Sequence, residues 1–509
     1  MTPGSWRLSH QHVHDLARDP PVDFGIEQGL IETKRASLTV PLEETRMPHR
    51  AQHIPAVESG SYPLRSGCAV APLVDGEPAF RRICEAVEGA ERSAWITVAF
   101  LERGLQMPDG RGTFFDVLDR AAARGIDVRV IFWRSEEVPA VAHWKGTAEQ
   151  RLFLAERGSL FSARWDAFPG DICHHQKSWV IDAGTPGEIA FVGGINLESA
   201  SVAAPGHQGS ATEATIHDVY LEIRGPAATD VHHNFVQRWN EASDRKQDDG
   251  HWPEGRDAGN LPFPVNLSPP AGDAPVQITR TVREETYLDG TAAPDAKPFS
   301  IQAGEFSIFD QYVAAIDAAE RTIYLEDQAI GAPKIVGHLK AALARGVQVI
   351  FIVPGDCHPN YHEARKIPAT QPFFDLVASL DDSPGFTLAG LAAPAPNGYR
   401  EIYVHAKIML VDDAWATIGS TNVADRSFRS DTELNASIWH GDVVRSLRAE
   451  LFKEHLAIDT AALDDSAAFE RFHGRAHRNA LRKLAGDPLE GLAFRLDAGL
   501  YGLGRPTTW

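Results

Sequence analysis

The chain has 509 residues, 43% of them hydrophobic and 23% charged, with a formal net charge of −20 and a pI near 5.5. Such a length exceeds one ordinary core and favours two domains or a duplicated pair of lobes. The acidic balance argues against unspecific nucleic-acid binding, which needs a basic surface to displace counterions, but leaves room for a local basic pocket.

Residues 1–65 are rich in Pro, His and charge and show no sustained period. They read as an irregular arm that wraps the first lobe or stays mobile. Met1 to Phe24 has no apolar run between a basic start and a small-residue cleavage site, so no signal peptide is expected. No stretch nears the roughly 20 apolar residues of a spanning helix. Cys68, Cys84, Cys173 and Cys357 are scattered without metal-type pairing or disulfide density. A cytoplasmic protein with reduced thiols is the expectation, with Cys173 in a packing role.

From about residue 66 a pattern begins that occurs twice. Ala90-Glu91-Arg92-Ser93 ends an amphipathic helix and leads into a strand-like run, Trp95–Phe100. A helix around Phe114–Arg124 closes at Gly125 and feeds the strand Val128–Trp133. In the second half Ala319-Glu320-Arg321-Thr322 leads into Ile323–Leu325, and a helix around Ile335–Arg345 closes at Gly346 before Gln348–Val353. Glycine directly after Ala-Arg is a helix stop in both places. Further strands follow in matched positions, Lys177–Asp182 with Ile189–Val192 and Val219–Arg224, then Lys407–Asp412 with Ala416–Ile418 and Leu434–Trp439. Both halves end in a helix, Ala227–Trp239 and Val443–Leu456. The alternation predicts an α/β fold of two pseudo-twofold related lobes, each a mostly parallel mixed sheet flanked by helices. The boundaries read as an arm (1–65), a first lobe (66–243), a linker rich in Asp, Gly and Pro (244–275), a second lobe (276–463) and a tail (464–509). Within the tail, Arg471–Lys483 reads as a basic, solvated helix.

Each half carries one chemical sentence, His-x-Lys-x-x-x-x-Asp: His175, Lys177 and Asp182, then His405, Lys407 and Asp412. A glycine-turn-asparagine run follows each, Gly193-Gly194-Ile195-Asn196 and Gly419-Ser420-Thr421-Asn422. In an extended chain residues i and i+2 share a face, so each His projects with its Lys. The Asp has the opposite parity and reads as a strand anchor. Two such half-sites facing each other supply two imidazoles, two ammonium groups and two amides, a donor set suited to a phosphate. In-line displacement needs a nucleophile on one face and a proton donor on the other, roles that two histidines fill. Lys177, Lys407, Asn196 and Asn422 stabilise the equatorial oxygens. The layout calls for no metal and no cofactor. Each imidazole needs an acid on its second nitrogen; Asp218 is the candidate in the first half and Glu433 in the second.

These residues resemble the phospholipase D superfamily. The resemblance rests on His174-His175-Gln176-Lys177, Phe191–Asn196 and His217-Asp218, and on Tyr403–Lys407, Ile418–Asn422 and Ser430–Glu433. It covers roughly residues 65–460. It implies an active site at the interface of the two lobes and a covalent phosphohistidine, with His175 as nucleophile and His405 as acid and base. Phospholipid head-group hydrolysis, or transfer of a phosphatidyl group to an alcohol, is the leading function. Cardiolipin synthase-like transfer is the alternative, followed by a nuclease or another phosphodiesterase, and last a lipid-binding relative without turnover. A monomer that meets phospholipid at a membrane surface, with water or an alcohol as acceptor and no nucleic acid, is expected. His217, His232, His233 and His358 read as ordinary core or surface histidines, and Trp133, Tyr324 and Trp415 as core. Glu326-Asp327-Gln328 corresponds to a pocket-mouth segment of similar enzymes, with Asp327 departing from the family's asparagine.

Overall fold

A computed structural model of the protein describes residues 53–134, 144, 147–167, 172–207, 215–244, 259–395 and 398–504. Seven strands build the first sheet: β1 (Arg65–Val74), β2 (Ser93–Val98), β3 (Asp127–Arg134), β4 (Ser162–Ala167), β5 (Ser178–Ile181), β6 (Ile189–Gly193) and β7 (Val219–Arg224). Seven more build the second: β8 (Ala274–Val282), β9 (Thr322–Glu326), β10 (Gln348–Ile352), β11 (Phe386–Ala395), β12 (Ile408–Val411), β13 (Trp415–Gly419) and β14 (Glu433–Ile438). The spatial orders are β1-β7-β6-β5-β2-β3-β4 and β8-β14-β13-β12-β9-β10-β11. Each strand of the first sheet thus has a counterpart seven places later, and the expected duplication is present in full.

Among these fourteen strands, parallel pairing is confined to β2-β3-β4 and β9-β10-β11; the other four pairings in each sheet are antiparallel. The expectation of mostly parallel sheets is corrected here. Parallel neighbours need a crossover, supplied by helices such as Phe114–Ala123 and Pro333–Ala344. The links from β5 to β6 and β12 to β13 are too short for one, so those strands return as hairpins. Phe114–Ala123 starts on a capping box of Thr113 with Asp116. Its expected stop, Gly125, has φ +88°, as Gly346 has φ +93° after the second helix.

One apolar layer is shared between the sheets. Trp95, Val180, Val192 and Leu221 of the first face Ile278, Tyr324, Leu410 and Ile418 of the second, with Phe235 and Trp239 of the helix Pro226–Asp244 and Phe452 of Gly441–Leu456. Separate cores cover the outer faces. The sheets also join at two edges: β1 pairs with β8, and Thr215–His217 pairs in parallel with Ile402–Val404. This second junction brings the segment before Asp218 against the segment before His405.

Two boundary expectations change. The strand Ala493–Arg495 pairs with β11, and the helix Asp465–Ala485 docks Phe469, Phe472 and Ala476 into the shared core. Residues 465–504 therefore complete the second lobe instead of trailing from it. Its basic face is engaged, with Arg475 and Arg482 paired to Glu490 and Lys483 to Glu401. Within the arm, residues 1–52 lie outside the described residues. The described part lies mainly along the second lobe, where Ile54 enters its core, His53 Nε2 is 2.9 Å from Asp412 Oδ2, and Trp439 Nε1 donates to the Ile54 carbonyl at 2.8 Å, while Tyr62 reaches the first lobe, its hydroxyl 3.0 Å from His233 Nδ1. Among the described residues, no helix is long and apolar enough to cross a membrane.

Candidate active site

The two His-x-Lys segments are extended stretches just ahead of β5 and β12. Each is stapled by backbone bonds to the other lobe. His175 N donates to the Thr432 carbonyl at 3.0 Å and Thr432 N to the Cys173 carbonyl at 3.0 Å; His405 N donates to the His217 carbonyl at 2.8 Å. Thr432 and His217 are the residues before Glu433 and Asp218, so the acids reach across the interface. His175 Nδ1 lies 3.0 Å from Glu433 Oε2, and His405 Nδ1 lies 2.6 Å from Asp218 Oδ2. The expected pairing within each half is overturned: each histidine is oriented by the acid of the opposite lobe. A carboxylate only accepts, so Nδ1 carries the proton and Nε2 keeps its lone pair.

The charges of Lys177 and Lys407 bear on both imidazoles. Lys177 Nζ donates to the His175 carbonyl at 2.8 Å, and Lys407 Nζ donates to that of His405. Asp182 and Asp412 face away. Asp182 Oδ1 accepts from Glu91 N, Arg92 N and Ser93 N at 3.0, 2.7 and 3.2 Å. Asp412 accepts from Glu320 N, Arg321 N and Thr322 N at 2.8, 2.8 and 2.7 Å. Both tie the end of the motif strand to the start of the central one, from backbone with φ near +55° (Asp182 +54°, Asp412 +56°). Asp tolerates that region better than most residues.

The turn asparagines are largely buried. Asn196 Nδ2 donates to Glu198 Oε1 at 2.9 Å, while Oδ1 of both Asn196 and Asn422 has no protein partner. Gly194 has a steric reason to be glycine: a Cβ there would lie 2.4 Å from Asp218 Oδ1 and 2.9 Å from Lys407 Cδ. Its counterpart Ser420 donates to Glu433 Oε2 at 2.5 Å.

Burial dominates the electrostatics. It holds the His175 and His405 imidazoles well below their usual range, reinforced by the charges of Lys177 and Lys407. Both histidines are therefore neutral in the free protein. Burial also pushes Asp218 and Glu433 up to about 7, against the pull of Lys407 on the former and Lys177 on the latter. It lowers Lys177 to about 8 and Lys407 in the same direction. Two ammonium groups and two carboxylates balance, and an arriving phosphate brings the extra negative charge.

Several neighbours went unrecognised in the sequence. Phe100 sits edge-on to His175 at 6.2 Å, with Lys177 Nζ 5.9 Å from its ring and Trp133 packed behind it. Tyr403 lies 6.4 Å from the His405 ring. The apolar runs that end at Phe100 and Trp133 read as core alone, which hid their position at the site. Asp327 is fully buried and accepts from Ala329 N and Val423 N at 3.0 and 2.8 Å, so it holds the Asn422 turn instead of meeting a substrate. His217 is a buried link between Asp75 and Glu326, as a core histidine.

Fold and site together define a duplicated, two-lobed α/β protein with one composite His/Lys centre shared by both lobes. The chain belongs to the phospholipase D superfamily: the family model described as "Cardiolipin synthase, PLD-like domain" matches residues 83–239 and 312–456, and that described as "Phospholipase D" matches 210–347. It is 25% identical to phospholipase D A of Dictyostelium discoideum, over 78% of this chain and 36% of that protein. Cardiolipin synthase 1 of Staphylococcus epidermidis is 23% identical, over 75% of this chain and 66% of its own length. The chain thus spans under two thirds of each of these relatives. Phospholipase D alpha 4 of Arabidopsis thaliana is 22% identical, over 81% and 70%. Among solved structures, phosphatidylserine synthase of Haemophilus influenzae matches with a TM-score of 0.51 at 15% identity, over 79% of this chain and 88% of that one, a likeness of fold.

Proposed function

We propose that the protein is a phospholipase D-type phosphodiesterase and phosphatidyltransferase acting through a phosphohistidine. One observation carries the reading: two neutral imidazoles, each held by an acid of the opposite lobe, lie close enough together that both feel the same two ammonium groups. In the first step His175 Nε2 attacks phosphorus. The bond to the head-group oxygen breaks, and His405, protonated as the anionic phosphate offsets the lysine charges, gives its proton to that oxygen. In the second step His405 takes a proton from water or an alcohol, whose oxygen attacks phosphorus and breaks the P–N bond. Lys177 and Lys407 stabilise the equatorial oxygens, and the turn side chains of Asn196 and Asn422 border them.

Kinship with proteins named phospholipase D and cardiolipin synthase supports a phosphatidyl substrate; the proposal adds a monomer that meets it at a membrane surface. Because relatives of both names match most of the chain, cardiolipin synthase-like phosphatidyl transfer is the second reading. The test is turnover on phosphatidylcholine, phosphatidylethanolamine, phosphatidylglycerol, a bis-aryl phosphodiester and DNA, with and without added alcohol. Release of free head group supports hydrolysis, and a new phosphatidyl ester supports transfer. Cleavage of DNA with no lipid product overturns the proposal.

A further inference from the structure

Behind the catalytic pair lies a second concentration of ionisable groups that the reaction does not use. His217 is fully buried, with Nδ1 2.8 Å from Asp75 Oδ1 and Nε2 2.9 Å from Glu326 Oε2. His207, equally buried, has Nδ1 3.1 Å from Thr215 Oγ1, while its Nε2 stands 3.3 Å from Asp75 Oδ1 and 3.7 Å from Glu454 Oε1. Glu454 Oε1 also accepts from Gly206 N at 2.7 Å. One ligand atom from each of Asp75, His207, His217 and Glu454 lies within 4.8 Å of all the others. Asp75 Oδ2, His207 Nε2 and Glu454 Oε2 are buried there without a hydrogen-bond partner, a costly condition for groups that a common ligand would satisfy together.

We propose that Asp75, His207, His217 and Glu454 bind one divalent transition metal of the zinc class. Two carboxylates neutralise its charge, and imidazole nitrogen with carboxylate oxygen is a donor set such ions accept. Each imidazole already has the outer partner that a metal ligand needs: His217 Nε2 can donate to Glu326 and His207 Nδ1 to the Thr215 hydroxyl, which frees His217 Nδ1 and His207 Nε2 for the metal. Four-coordinate bonds of ~2.0–2.1 Å put neighbouring ligand atoms roughly 3.4 Å apart, within reach by a small inward shift of the side chains. The alternative set His217, Glu326 and His455 is poorer, because the Glu326 oxygens already accept from His217 and the Tyr324 hydroxyl. Asp75 and His217 come from the first lobe and Glu454 from the helix Gly441–Leu456 of the second, so the ion ties the lobes together. It touches no substrate. It sits behind the site, where Asp75 N donates to the Asp218 carbonyl at 2.9 Å and His405 N to that of His217.

The test is titration of the purified, chelator-stripped full chain with Co2+, whose four-coordinate form shows intense visible bands that the six-coordinate aquo ion lacks. One equivalent is expected to produce those bands, to be displaced by Zn2+ and to raise the unfolding temperature. Glu454→Gln keeps an oxygen for Gly206 N, and His207→Gln changes a single ligand; each is expected to weaken binding by more than ~100-fold, and Thr215→Val by ~10-fold. Absence of both bands and thermal shift in the wild type overturns the proposal. So does unaltered Co2+ binding in the folded variants, which places the ion elsewhere, as at His175 and His405.

Discussion

Replacing Glu433 by Gln tests the crossed wiring of the site, because the residue lies in the second lobe while the histidine it orients lies in the first. The substitution removes the charged acceptor 3.0 Å from His175 Nδ1. A hydrogen bond to a charged group contributes about 1.5–3 kcal/mol, or roughly 10–150-fold in rate at about 1.36 kcal/mol per decade. A Gln amide can also donate to Nδ1, which moves the proton to Nε2 and removes the attacking lone pair; a wrong tautomer at a catalytic histidine costs up to ~10⁴-fold. The first chemical step is therefore expected to slow by about 10²–10⁴. The assay is the stopped-flow burst of nitrophenolate from a phosphatidyl nitrophenyl ester, whose leaving group needs no proton. Glu433→Gln should lose the burst, whereas Asp218→Asn, which disturbs His405, should keep it within a few-fold and lose steady turnover. In a His175→Ala background, Glu433→Gln should add almost nothing, since the two act as one unit. Loss of the burst in Asp218→Asn with its retention in Glu433→Gln would refute the pairing and the roles together.

The pH profile follows from the same groups. Asp218 and Glu433 must be ionised to accept from the imidazoles and are raised to about 7, so kcat/KM should fall as pH drops below 7. Lys177 must be charged and is lowered to about 8, so kcat/KM should also fall above pH 8; a plateau reaching pH 5 or pH 10 contradicts this narrow bell. Gly194→Ala drives a Cβ to 2.4 Å from Asp218 Oδ1 and should lower kcat by about 10² through displacement of the acid, with the circular dichroism spectrum unchanged. Asp412→Ala strips three backbone N–H groups of their acceptor and should cost about 3 kcal/mol of stability by urea unfolding, with turnover per folded molecule nearly intact.

The duplicated half-site was legible because its chemistry is local. His-x-Lys and its Asp lie on one extended run, so parity alone separates the pocket face of Lys177 and Lys407 from the backbone anchors Asp182 and Asp412. Asp218 and Glu433 were legible as acids but not as partners. Spacing along the chain carries no information about which lobe a side chain crosses into, and the backbone staples at Thr432 and His217 that force the crossing are tertiary. The same limit hid the sheet directions. Apolar runs such as Ile189–Val192 look alike in a hairpin and in a crossover, and only the shortness of the preceding turn distinguishes them. Phe100 and Trp133 were absorbed into core runs because burial and proximity to an active site leave the same mark on a sequence. The chain past Asp464 was misjudged because its charges are conspicuous, whereas the stripe Phe469, Phe472 and Ala476 that docks it occupies few positions.

The pseudo-twofold symmetry leaves the nucleophile formally ambiguous, and the structure breaks that symmetry in a direction with chemical meaning. The acids are unequally committed. Glu433 Oε2 accepts from Ser420 Oγ at 2.5 Å besides meeting His175 at 3.0 Å, whereas Gly194, the counterpart of Ser420, offers Asp218 no side chain. Asp218 instead meets His405 at 2.6 Å, with Val219 N on its other oxygen at 2.8 Å. A carboxylate shared with a hydroxyl is a weaker acceptor toward its imidazole, and a shorter charge-assisted bond stabilises imidazolium more. His405 is thereby favoured to carry a proton and His175 to stay neutral, the division of labour that a proton donor and a nucleophile require. The expected outcome is that His405→Ala, given the nitrophenyl ester, accumulates an acid-labile, base-stable phosphatidyl adduct that maps to the peptide containing His175, while His175→Ala forms none. An adduct on the peptide containing His405 in the His175→Ala protein would mean that the Ser420 asymmetry does not set the direction of attack.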